Sequence, residues 1–196
     1  VKGSPETSAS VLTFSPDRKI VASGSIQKIK LWNINNKELH NLSMLSSPIK
    51  NASFSRDGKI LAVKYEGHNQ ATNFESDNLI RLWDVENGQE LRGIEGNTGQ
   101  CLFGWSFDNK ILAMGGYGRG NIIKFWDIRQ RKELFQLEDD FQPLFNSENI
   151  HADDFLSLAF SKDGKRFVSG GANKIIIWDV ENRKVLHKIK SEFSFR

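Results

Sequence analysis

Short apolar runs alternate with polar turns along nearly the whole chain, and the pattern comes round four times. Each cycle contains a run that closes on a tryptophan: Lys28-Ile29-Lys30-Leu31-Trp32, Leu79-Ile80-Arg81-Leu82-Trp83, Ile122-Ile123-Lys124-Phe125-Trp126 and Ile175-Ile176-Ile177-Trp178. Asp84, Asp127 and Asp179 follow three of these; Asn33 follows the first. Upstream, another run ends at Phe14, Phe54, Trp105 or Phe160, and a polar turn comes next, as in Ser55-Arg56-Asp57-Gly58-Lys59. Asp-Gly and Asp-Asn between apolar runs predict tight hairpins, because Gly and Asn tolerate positive φ. A second apolar run, the tryptophan run, a further polar turn and a fourth run complete the cycle. Each cycle therefore predicts four short antiparallel strands. Self-similarity at a period of roughly 50 residues predicts a repeat architecture.

The Phe-Ser-x-Asp-Gly-Lys turns and the Leu-Trp-Asp and Phe-Trp-Asp strands resemble the WD-repeat family of β-propellers, from about Ser8 to Ile189. The resemblance implies an all-β fold of four-stranded antiparallel blades, with four blades present as an open partial ring in a single domain. The blades fall at about 8–43, 49–94, 100–137 and 155–190. The strands of each blade are lettered A to D. No strand is left over to latch the first blade to the last, so the blade flanks await cover. Further blades of a longer parent protein, bacterial and multidomain, or a second copy of the chain would supply it.

Composition narrows the class. A 38% hydrophobic content in 196 residues supports a packed core. A mean hydropathy of −0.46 and the lack of a long apolar run argue against a transmembrane span, so no membrane partner is expected. A net charge of +3 is too slight to argue for nucleic acid. The lone cysteine, Cys101, excludes an intrachain disulfide framework and reads as a small buried hydrophobe. Low cysteine content favours a cytoplasmic location.

The departures from the template lie in the B–C and D–A loops, which open on one face of a propeller. Blade 2 carries a long B–C insertion, read from Lys64 to Ser76, and blade 3 a milder one, Gly115 to Gly120. The connection from Glu138 to Asp154 is long and acidic. Inserted loops sharing one face are where repeat proteins build binding surfaces. Tolerated drift is the alternative, since surface insertions cost little. Tyr65, Phe74, Tyr117, Arg119, Asp139, Asp140, Phe141, Asp153 and Asp154 are the candidate partner-binding residues. Acidic loops carrying aromatics suit a basic protein partner and repel phosphate.

The family's His–Ser–Asp–Trp network is eroded. Trp32, Trp83, Trp126 and Trp178 persist, with Asp77 in blade 2 and His151 and Ser169 in blade 4 as structural remnants. Blades 1 and 3 lack both His and Asp at matching sites and are expected to hold by packing alone. His40 and His187, at related places in the fourth strands, read as rim surface. No Gly-rich phosphate loop opens a helix, no nucleophile elbow is present, and four scattered histidines give no metal spacing. Neither catalytic, cofactor nor metal residues are assigned. The expected function is a non-enzymatic protein-interaction scaffold or sensor module. A propeller enzyme with its catalytic residues on missing blades, or a self-assembling half-propeller, are the alternatives.

Overall fold

The structure, a computed structural model, describes residues 11–24, 28–35, 37–43, 49–65, 79–95, 101–116, 122–138, 155–171 and 174–190. These form sixteen strands in four antiparallel sheets of four, each strand paired with its sequence neighbour. Blade 1 holds β1 (Val11–Phe14), β2 (Ile20–Gly24), β3 (Lys28–Asn33) and β4 (Glu38–Ser43). Blade 2 holds β5 (Ile49–Phe54), β6 (Ile60–Tyr65), β7 (Leu79–Asp84) and β8 (Glu90–Glu95). Blade 3 holds β9 (Cys101–Trp105), β10 (Ile111–Gly116), β11 (Ile122–Asp127) and β12 (Lys132–Glu138). Blade 4 holds β13 (Phe155–Phe160), β14 (Arg166–Gly171), β15 (Lys174–Asp179) and β16 (Lys184–Lys190). The chain divides into two compact units, Val1–Gly96 with blades 1 and 2 and Asn97–Arg196 with blades 3 and 4.

One turn chemistry sets the register of every A–B hairpin. In blade 1 the Ser15 hydroxyl donates to Asp17 Oδ1 at 2.6 Å, the same oxygen accepts from Lys19 N at 3.1 Å, and Ser15 Oγ accepts from Ile20 N at 2.9 Å. The same three bonds recur at Ser55–Asp57, Ser106–Asp108 and Ser161–Asp163. The residue after Asp takes positive φ in all four turns: Arg18, Gly58, Asn109 and Gly164. The Asp that follows each tryptophan closes the next turn. Asp84 Oδ1 accepts from Glu86 N and Asn87 N, Asp127 Oδ1 from Gln130 N and Asp179 Oδ1 from Asn182 N; Asn33 Oδ1 does this for Asn35 N. The two turns of a blade are tied together, since Ile34, Val85, Ile128 and Val180 each donate a backbone N–H to the carbonyl of the first turn's Lys. Sequence spacing thus dictates hairpin register before any core forms.

Alternation along the strands gives each blade a tryptophan face and an opposite face. In the first unit the tryptophan face of blade 2, with Phe54, Leu61, Val63 and Trp83, packs on the opposite face of blade 1, with Ala22, Ile29, Leu31 and Leu42. In the second unit Phe160, Phe167, Ile176 and Trp178 of blade 4 pack on Ala113, Ile123, Phe125 and Leu137 of blade 3. Fully burying one such side chain contributes about 1.5–3 kcal/mol, so these interblade cores dominate stability. No helix among the described residues is long and apolar enough to cross a membrane.

Candidate interaction surfaces

Of the loop residues expected to bind a partner, Tyr65 alone lies among the described residues, and its placement differs from the expectation. The apolar alternation of β6 runs on through Lys64 and Tyr65, so the insertion starts after them. Tyr65 is 6% exposed and belongs to the core of the first unit. Burial pushes its hydroxyl well above the ordinary value of 10, against the Arg81 charge and the Trp83 indole, which pull it down. A side chain held this way offers nothing to a partner. Phe74, Tyr117, Arg119, Asp139, Asp140, Phe141, Asp153 and Asp154 lie outside the described residues, as do Asp77 and His151.

The tryptophans sort by their indole partners, and not as the sequence suggests. Trp32 Nε1 donates to Ser23 Oγ and Trp178 Nε1 to Ser169 Oγ, both at 2.9 Å. Blade 1 therefore keeps the Ser–Trp bond of the network although His and Asp are missing from its matching sites. The matching positions in blades 2 and 3 are Val63 and Met114, each two residues beyond the strand partner of the tryptophan. Among the described residues the buried Trp83 and Trp126 indoles there find no hydrogen bond of normal geometry. Leaving such a donor unmade costs about 1–3 kcal/mol.

Histidine 40 is not simple rim surface. Its ring spans two blades, with Nε2 3.0 Å from the Glu86 carbonyl in the C–D turn of blade 2. A carbonyl only accepts, so Nε2 carries the proton. The turn is shaped around this ring. Gly88 has φ +69°, and a Cβ there would lie 2.7 Å from His40 Nδ1. In the second unit Phe135 occupies the corresponding strand position and Arg183 the corresponding turn position. The Arg183 guanidinium sits 4.7 Å from the Phe135 ring centre. The two contacts differ chemically but both clamp strand D of one blade to the next blade's turn.

The second unit also has a shallow crevice of about 300 Å³ between turns, lined by Phe107, Asp108, Ile111, Lys162, Asp163 and Glu181 among others. Lys162 Nζ lies 5.6 Å from the Phe107 ring, and Phe107 is exposed. Pro16 holds the position of Phe107 in the first unit and rests against Gly58. Among the described residues no group of three or more His, Cys, Asp or Glu side chains is arranged to hold a metal ion.

Each unit carries exposed apolar residues. On blade 1 the tryptophan face presents Leu12 and Phe14; Phe14 is 55% exposed where its counterpart Phe54 is 6% exposed. On blade 4 the opposite face presents Ile175 at 40% and Ile189 at 49%, where Ile29 and Leu42 of blade 1 are 0% and 2% exposed.

Four sheets of this connectivity, each with consecutive strands paired in order, are blades of a β-propeller. Comparison with known proteins gives the kind of blade. Residues 146–179 match the family described as "WD domain, G-beta repeat". The chain is 26% identical over 171 residues to the small ribosomal subunit protein RACK1 of Caenorhabditis elegans, covering 85% of this chain and 48% of that protein. It is 28% identical over 162 residues to the anaphase-promoting complex subunit cdc20 of Dictyostelium discoideum, covering 80% of this chain and 28% of that protein. A chain in the crystal structure of a mitotic checkpoint complex superposes with a TM-score of 0.70 at 21% identity, over 92% of this chain and 49% of that one. With four blades in register, the chain has the fold of a β-propeller and is similar in sequence to WD-repeat proteins. It spans about half or less of the length of these relatives.

Proposed function

We propose that this chain is a non-enzymatic scaffold whose function is to hold other proteins on its surface, as a module of a larger WD-repeat assembly. One observation carries the reading. The polar side chains that repeat through the fold are committed to architecture: each turn serine is bonded to its Asp, and the residue after each tryptophan closes a turn. What varies between repeats is surface, in the loops and on the blade flanks. Relatives named as subunits of a ribosome and of the anaphase-promoting complex support the same reading.

The acidic connection between blades 3 and 4 and the loop of blade 2 are the proposed partner surface, with a basic protein as partner and the cytoplasm as compartment. Six acidic residues fall between Glu138 and Asp154 with no Lys or Arg among them. Cross-linking in a cell extract followed by peptide mapping tests this. Cross-links to a basic protein should concentrate in residues 66–78 and 139–154. They should fall with added salt and with the combined substitutions Asp139→Lys, Asp140→Lys and Asp153→Lys, because exposed charges act chiefly on encounter. Recovery unchanged by salt and by the triple variant, with the fold intact, would overturn the assignment.

A further inference from the structure

One slot is built in both units and filled in only one of them. It lies where the A–B turn of one blade meets the turns of the next. In the first unit the residue after the turn serine is Pro16, and its ring rests against Gly58. A Cβ at Gly58 would lie 3.7 Å from Pro16 Cδ and 3.9 Å from Ser15 Cβ. In the second unit Phe107 follows the turn serine, and Gly164 stands where Gly58 does. The two glycines share one backbone conformation, at φ +72° and +71°. Yet at Gly164 no described atom would come within 4 Å of a Cβ. The exposed Phe107 and the open Gly164 both line the crevice of about 300 Å³, with Ile111 and Val180 as further apolar lining.

The polar groups of the crevice narrow what could enter. Asp108 is committed: one oxygen serves Ser106 and the Lys110 amide, and the other meets Lys110 Nζ at 3.2 Å. Of the remaining lining charges, Lys162 and Lys165 stand against Asp163 and Glu181, so the crevice favours neither sign. A neutral occupant fits best. Lys162 Nζ lies 5.6 Å from the Phe107 ring centre and makes no ion pair among the described residues, so a donor stands at the mouth with nothing to bond. The volume is at the lower end of the roughly 300–1,000 Å³ of small-ligand sites, which suits a residue or two of a peptide. The first unit shows what fits this slot, a proline ring. Proline-containing segments run as polyproline II, whose backbone makes no internal hydrogen bonds and leaves its carbonyls free to accept. Segments of this kind dock in grooves with aromatic walls.

We propose that the crevice binds a proline-containing extended segment of a partner protein. A proline ring of the segment enters between Phe107 and Gly164, as Pro16 lies against Gly58, and Lys162 donates to one of its backbone carbonyls. The A–B turns lie at the opposite end of the strands from the B–C loops, so this site stands or falls independently of the acidic surface.

Amide chemical-shift mapping on the isotope-labelled intact chain tests it, with decaproline as the probe and a Gly-Ser decamer and an Arg-Ser decamer as controls. Decaproline should shift the amides of Ser106 to Lys110, Ser161 to Lys165, Val180 and Glu181, and the shifts should saturate. The Gly-Ser decamer should leave them unmoved. Phe107→Pro rebuilds the closed slot of the first unit, where Pro16 shows that the turn accepts proline. Gly164→Asn puts a side chain into the open space at a φ that Asn109 already adopts in blade 3, +60°. Both variants should give the circular dichroism of the wild type, and each should weaken decaproline binding about tenfold or more. Lys162→Ala, which removes one hydrogen bond, should weaken it about threefold. Absence of a response to millimolar decaproline overturns the proposal, as does an equal response to the Gly-Ser decamer. So does binding that survives both Phe107→Pro and Gly164→Asn. A stronger response of the same turns to the Arg-Ser decamer also overturns it, and assigns the crevice to a cation at Glu181.

Discussion

The two units solve the same packing problem with different side chains. The slot between blades 1 and 2 is aliphatic around Leu31 and Leu61, with Phe54 beside them. The slot between blades 3 and 4 has Phe125, Phe160 and Phe167 in those places, with Phe135 where the first unit has His40. Phe125 stacks on Phe135 at 4.5 Å and meets Phe160 and Phe167 edge-on at 5.8 and 5.0 Å. The blades are nonetheless built alike, with the same pairing and the same turns. The lesson is that hairpin register comes from the turns, while the core has only to fill the space that register leaves.

The largest test of this contrast is Phe125→Ala against Leu31→Ala. Phe125 touches three other rings, and truncation should cost about 3–5 kcal/mol. Leu31→Ala should fall toward the lower part of its usual range of about 2–5 kcal/mol, because it removes a smaller side chain with no ring contacts of its own. Denaturant melts in which Leu31→Ala is the more damaging change would break the comparison.

A smaller effect separates blades with a bonded indole from blades without. Ser169→Ala strips the acceptor from Trp178 in a buried site and should cost about 1–3 kcal/mol. Val63→Thr does the reverse in blade 2, placing a hydroxyl at the position of Ser169. Burying a hydroxyl without a partner ordinarily costs about 1–3 kcal/mol. Here the Trp83 indole is ready to donate, so the change should be close to neutral. A full penalty at Val63→Thr would mean that the indole cannot reach.

The smallest effect lies in the turns and is read by pH. The Ser15 hydroxyl holds the Asp17 carboxyl below its ordinary 3.8, and Ser161 does so for Asp163. At Asp108 partial burial acts upward but is outweighed by bonds from Ser106 and Lys110. A carboxyl depressed in the folded state contributes stability above its unfolded value and loses it as pH falls through the folded one. The turns should therefore hold above 3.8 and weaken only below it. Thermal melts of wild type and Ser161→Ala should diverge at neutral pH and converge in acid. Parallel curves throughout would separate the turn bond from the carboxyl shift.

Most of the strand plan was legible because alternation and turn residues agree with each other in every repeat. The bonded serines of blades 1 and 4 each sit nine residues before their tryptophan, a spacing readable wherever the B–C loop is short. Blade 2's insertion destroys that spacing, so only register reveals Val63 as the missing acceptor. Tyr65 was misread because Lys64, a charged residue, looked like the end of a strand; it is buried within one. The bridge from His40 to Glu86 crosses 46 positions of sequence, and no local pattern announces it. Phe107 and Lys162 likewise meet only once two blades are side by side.

Every side-chain bond of the Ser–x–Asp turn closes within five residues. Such a turn asks nothing of the rest of the chain, and hairpins of this kind form in about 1–10 μs. The faces between blades need residues far apart in sequence, and contacts of that sort set the slow steps of folding. During synthesis, then, each hairpin is complete while its apolar faces still wait for a neighbour. The interval of greatest exposure to misassembly comes after secondary structure is finished, and its length depends on how soon the next blade emerges.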